Sequence, residues 1–198
     1  MSWTEILGFV TGAASVWLYV REHVWAWPLG IANSAFWFVL FWQSKLYLDA
    51  SLQVVYIVLG VIGWYWWVNG GQRRNDLPVR TTRRPEAMAL VLAAVACTIA
   101  LWFAEARYTD SPFPSWDAAT TVVSLVAQFM LTRKLLGNWW LWISVDVAYA
   151  GMYSYQHLYL TALLQPLFIA MCALGLRQWR RSMNARALAP TGEAGMAS

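Results

Sequence analysis

The stretch LYLDASLQ, Leu46 to Gln53, returns as LYLTALLQ, Leu158 to Gln165, 112 residues further on. Six of the eight positions are identical, including the closing glutamine. The same offset aligns Arg21 with Arg133, Trp27 with Trp139, Ile31 with Ile143, Gly63 with Gly175 and Trp67 with Trp179. Repeated Leu, Tyr and Gly restate what any packed helix needs. Gln, Arg and Trp in one register point instead to a duplicated unit.

The composition says where such a unit sits. Soluble domains are roughly half apolar and a quarter charged, whereas this chain is 60% hydrophobic and 12% charged, with 15 Trp. Its apolar runs approach the 20 or so residues that a helix needs to cross a bilayer. They are Trp3–Val20, Trp27–Trp42, Ala50–Val68, Glu86–Ala104, Trp116–Thr132, Trp139–Tyr155 and Leu158–Arg177. Continuous runs exclude a membrane β-barrel, whose strands alternate. The first run lacks a basic leader and a small-residue cleavage site, and so reads as a retained helix. The fold class is therefore an all-α integral membrane protein of seven transmembrane helices.

Basic residues orient the spans. With seven crossings, the loops after the first, third and fifth runs share one face with the C-terminus. That face holds twelve of the fourteen Lys and Arg; the other has Lys45 and Arg107. The N-terminus is expected outside and the C-terminus in the cytoplasm. The net charge of +4 is thus a topology signal, and nucleic acid is not an expected partner.

The offset pairs runs one to three with runs five to seven and leaves the fourth between them. A directly repeated triplet would insert inverted; one extra span restores a parallel arrangement. The expected organisation is residues 1–72 as the first triplet, 73–110 as a basic loop with a linker helix, 111–181 as the second triplet, and 182–198 as a disordered tail. Parallel repeats about an axis along the membrane normal recur in secondary transporters, with the substrate site between them near the midplane. A duplicated bundle suits a pore or carrier better than an enzyme.

Polar residues inside spans usually face the bundle interior or a wet cavity. Thr11, Ser15, Asn33, Ser34, Gln53, Ser144, Asp146 and Gln165 are such residues. In the fifth run, Trp116, Thr120, Ser124 and Gln128 recur every fourth position along one slowly turning face. Such a stripe either lines a path for a hydrogen-bonding solute or binds helix to helix. In the sixth run, Asp146 lies seven residues past Trp139, roughly 10 Å into the membrane. It is the carboxylate placed well inside a span, and no Lys or Arg lies at that depth. Such a group must be protonated, paired with donors or matched to a cation. Trp142 and Tyr149 share its face, and aromatic rings beside a carboxylate suit a flat cation. The alternative is a neutral Asp bonded to hydroxyls of the fifth run.

Trp3, Trp25, Trp27, Trp64, Trp66, Trp67, Trp102 and Trp179 fall near span ends, where aromatic belts are expected. Pro166 should loosen the last helix beside Gln165. Cys97 and Cys172 lack partners at metal or redox spacing. His23 and His157 fall in loops on opposite faces. No catalytic residues, metal ligands or cofactor are implied, and a retinal-type protein fails because Lys45 and Lys134 lie in loops.

The segments WPLGIANSAFWFVLFWQSKLYLDASLQVVYIVLGVIGWYWW (27–67), FPSWDAATTVVSLVAQFMLTRK (113–134) and NWWLWISVDVAYAGMY (138–153) resemble the PnuC family of bacterial vitamin transporters. The resemblance runs from about Trp3 to Trp179. It implies a 3+1+3 architecture similar to SWEET transporters, a homotrimer in the inner membrane, and facilitated diffusion of nicotinamide riboside, trapped by a cytoplasmic kinase. On these positions it supports Asn33, Gln53, Thr120, Ser124 and Gln128 as site residues. It also supports Trp139, Trp142 and Asp146, from a WxxWxxxN-like motif. Asp146 departs from the Asn that members often carry there. Its charge suits the cationic ring of nicotinamide riboside and equally suits thiamine; the resemblance extends to related branches that carry thiamine or riboflavin. The other expectations left open are a proton-coupled carrier, in which Asp146 titrates, and a non-transporting membrane scaffold.

Overall fold

A computed structural model describes residues 3–45, 47–70, 77–108, 113–155, 157 and 159–188. The described residues form seven helices and no strand. These are α1 (Trp3–Val20), α2 (Ala26–Gln43), α3 (Tyr47–Asn69), α4 (Arg84–Tyr108), α5 (Pro114–Thr132), α6 (Asn138–Tyr155) and α7 (Tyr159–Leu188). The expected runs reappear within a few residues at most ends. The exception is α7, which continues to Leu188, so the stretch from Ser182 to Leu188 is helical rather than the start of a disordered tail. Residues 189–198 lie outside the described ones, as do Leu46 and Leu158 of the repeated phrase. Pro166 sits inside α7 without ending it.

Asp49–Asn69, Arg84–Tyr108 and Ala162–Leu188 are long and apolar enough to span a membrane by length and composition alone. Tryptophan and polar side chains lower the hydropathy of α2, α5 and α6, the helices that carry most of the expected site residues. The α4 window, by contrast, has no buried residue. Met88, Val91, Leu92, Val95 and Phe103 are all more than half exposed, as suits a helix surrounded by lipid.

Packing follows the 112-residue register. α2 lies on α3 as α6 lies on α7; α1 meets α2 as α5 meets α6; α3 meets α5 as α7 meets α1. α4 packs on α5. The close approaches correspond as well. The Trp27 ring covers Gly63, where an added Cβ would fall 2.3 Å from its Cη2. The Trp139 ring covers Gly175, where a Cβ would fall 2.5 Å from its Cζ2. Each glycine lets an indole lie directly on a helix backbone, the kind of contact that drives association where lipid removes the hydrophobic incentive.

Trp67 and Trp179 complete this arrangement at the centre. Trp67 Nε1 donates to the Leu131 carbonyl at 3.1 Å, and Trp179 Nε1 donates to the Tyr19 carbonyl at 3.0 Å. Those acceptors are themselves 112 residues apart, so the two halves exchange equivalent bonds. The two rings lie 5.8 Å apart, with Trp27 and Trp139 each 5.3 Å from its neighbour in the row. Trp27, Trp67 and Trp179 are therefore core residues and not members of an aromatic belt, being at most 1% exposed. Trp25, Trp64 and Trp102 stay at the surface.

The turns repeat too. Glu22 and Lys134 have φ of 55° and 49°; Lys45 and His157 have φ of 61° and 59°. Each is a left-handed residue closing a helix, and the members of each pair are 112 residues apart. Lys134 Nζ bonds Glu22 Oε2 at 3.2 Å and lies 4.4 Å from the Trp67 ring centre. Beside them, Arg80 N donates to the Lys134 carbonyl and Leu136 N to the Arg80 carbonyl. That short bridge straps the loop before α4 across the α5–α6 turn and seats Val79 in the tryptophan cluster.

Alanine at Gly63 or Gly175 is expected to destabilise the protein by about 1–3 kcal/mol, the usual cost of overpacking. Unfolding of the purified variants in detergent measures it. Unchanged stability would mean that the indole seats are not fixed.

Candidate substrate site

The central cavity is enclosed by α1, α2, α3, α5, α6 and α7 and has a volume of about 370 Å³. Tyr19, Leu131 and Trp139 line it and also belong to the tryptophan cluster, so the cluster bounds one end. Six of the nine expected site residues are on its wall: Asn33, Gln53, Gln128, Trp139, Trp142 and Asp146.

Asp146 projects from the middle of α6 beside Cys172 of α7, whose thiol donates to Oδ2 at 3.7 Å. Among the described residues lining the cavity there is no Lys or Arg. Asn33 is held from behind: its Nδ2 donates to the Gly8 carbonyl at 3.0 Å and to Thr11 Oγ1 at 2.7 Å. Those bonds fix the amide against α1. Trp139 is 2% exposed, and among the described residues its indole N–H finds no acceptor, as with its repeat mate Trp27.

Thr120, Ser124 and Tyr149 are not on this wall. Each i+4 step turns the helix by about 40°, so three steps turn it by about 120°. Gln128 therefore reaches the cavity while the N-terminal part of the stripe turns away. Thr120 bonds back to the Trp116 carbonyl at 2.9 Å and lies in a crevice between α5 and α6. Tyr149 interacts with Thr120 and stacks on Tyr153 at 5.8 Å. Ser124 is buried against Tyr56, itself a wall residue. Ser124 thus backs the wall through Tyr56, whereas Thr120 and Tyr149 lie off it.

Gln165, which the family resemblance does not single out, lines the cavity together with Gln53. The repeated phrase held that signal: its two final glutamines occupy equivalent walls. Ser34, Trp37, Tyr56 and Phe168 are further wall residues. An aromatic inside an apolar run gives no sign of which face it takes. Ser34 is the counterpart of Asp146 by the offset, and Gly30 that of Trp142. The two halves thus share a frame, and at these two positions the second supplies the charged and the large group.

The sequence pattern of the Nicotinamide mononucleotide transporter family matches residues 2–181. The chain belongs to that family. Its members and relatives are transporters, not enzymes. One relative is the nicotinamide riboside transporter PnuC of Escherichia coli K12, 25% identical over 94% of this chain and 88% of its own. Another is the riboflavin/roseoflavin transporter RibM of Streptomyces davaonensis, 24% identical over 89% of this chain and 84% of its own. The crystal structure of a vitamin B3 transporter, PnuC, has the same fold, with a TM-score of 0.72 at 20% identity. It covers 93% of this chain and 83% of that one. Family membership and the apolar helices make this a multi-pass transporter of the inner membrane.

Proposed function

We propose that the chain is a uniporter for nicotinamide riboside. The observation that carries this reading is Asp146, the one carboxylate among the described residues of the cavity wall, which it shares with Trp139 and Trp142. A carboxylate at that depth is costly unless matched by positive charge, and a pyridinium ring supplies a flat one that also stacks on indole. Gln53, Gln128 and Gln165 offer amide donors and acceptors to the ribose and carboxamide. Thiamine is the second reading, because it too is a flat cation. Riboflavin, suggested by the Streptomyces relative, has no positive charge for Asp146 to meet.

In the proposed cycle two parallel triplets, α1–α3 and α5–α7, linked by α4, rock about the site to expose it alternately. The tryptophan cluster with the Lys134–Glu22 pair closes the basic end, which we place in the cytoplasm with the C-terminus. No ion gradient drives the cycle. A cytoplasmic kinase traps the product, and three copies assemble.

Calorimetric titration of the purified protein with nicotinamide riboside, thiamine and riboflavin tests the substrate. The two cations should bind and riboflavin should not. Absence of binding for all three would overturn the reading, and binding of riboflavin alone would replace it. Flux of nicotinamide riboside into liposomes should be unchanged by an imposed pH gradient. Acceleration by such a gradient would establish proton coupling instead.

A further inference from the structure

A glycine inside a helix costs up to about 1 kcal/mol relative to alanine. The other helical glycines of the first repeat each have a packing reason. A Cβ would come within 2.5 Å of Trp37 at Gly8, 2.7 Å of Ile31 at Gly60 and 2.3 Å of Trp27 at Gly63. At Gly30 it would come within 3.0 Å of the Tyr19 hydroxyl. Gly12, in the middle of α1, has none: among the described residues nothing lies within 4 Å of a Cβ built there. Yet Gly12 is on the wall of the central cavity. Its repeat mate, Ser124, is buried against a neighbour. The two halves of the frame are thus filled at this level on one side and left open on the other.

We infer that Gly12 is a specificity-determining residue: the missing side chain is space occupied by the solute, which lies against the bare backbone of α1. This deepens the substrate reading above and rests on it. A side chain at residue 12 fills the cavity without displacing protein, so its effect scales with its volume. The largest tolerated solute should shrink in step.

The test is the series Gly12→Ala, Gly12→Val and Gly12→Leu in otherwise intact protein. Gly151→Leu is the control, since a Cβ there also meets nothing but Gly151 is exposed on α6 and off the cavity. Melting temperatures of all four should match or exceed that of wild type. Affinity for nicotinamide riboside should fall stepwise along the series, more than 10-fold at Leu, and stay unchanged in Gly151→Leu. A second readout needs no vitamin. In a Cys97→Ser background, alkylation of Cys172 by a small maleimide should slow along the same series, because the reagent must enter the same space. If wild type binds no vitamin but alkylation slows, the substrate reading fails and the role of Gly12 stands. If Gly12→Leu keeps wild-type affinity, or alkylation is unchanged, the inference about Gly12 is overturned.

Discussion

Asp146→Ala is expected to weaken nicotinamide riboside binding on the order of 100-fold, while the fold is retained. Truncating one partner of a desolvated, charge-paired contact costs about 2–5 kcal/mol, and 100-fold is near 2.8 kcal/mol on the scale of roughly 1.4 kcal/mol per tenfold. The fold should survive because the side chain's described contact is a long thiol bond from Cys172. Asp146→Asn separates charge from shape. It keeps an acceptor for that thiol and removes the charge, so it should lose most of the same affinity for either cation. Titration calorimetry reads both variants. An unchanged affinity in Asp146→Ala would refute the cation-holding role, even if transport itself persists.

Lys134→Met is expected to cost about 3–5 kcal/mol of stability, the range for removing one partner of a buried ion pair. The Lys134 and Glu22 side chains are only 4% and 14% exposed. Without the ammonium, the Glu22 carboxylate keeps its burial and loses its cation, and the Trp67 ring loses the charge above it. The double variant Glu22→Gln with Lys134→Met should recover much of the loss, since it leaves no uncompensated charge. Unfolding in detergent distinguishes the two. Equal losses in the single and double variants would show that the pair is not the source.

The seven helices were legible because membrane spans write their length and apolarity directly into the chain. The register of the repeat was legible for a related reason: Trp27 with Gly63, and Trp139 with Gly175, must change together or not at all. What single spans do not record is the direction each face turns. Trp67 and Trp179 sit near span ends, where belt and core tryptophans have the same local sequence. Only their contacts with the opposite half separate the two roles. The same limit led to Thr120, Ser124 and Tyr149 as wall residues, although none of them lines the cavity. The family resemblance singled out Gln53 and not its repeat mate Gln165, although both line the cavity. Asp146, Trp142 and Gln128 were found because charge and amides inside a span have few other uses. Gly12 had no such mark, because an empty position shows its purpose only when the surrounding space is seen.

Uptake of labelled nicotinamide riboside into liposomes holding the purified protein and no ion gradient tests the central claim most directly. A uniporter built around this cavity gives saturable entry that stops at equal concentrations inside and out, and entry falls to the level of empty liposomes in Asp146→Ala. Accumulation above the external concentration, or no entry beyond empty liposomes in wild type, would contradict it.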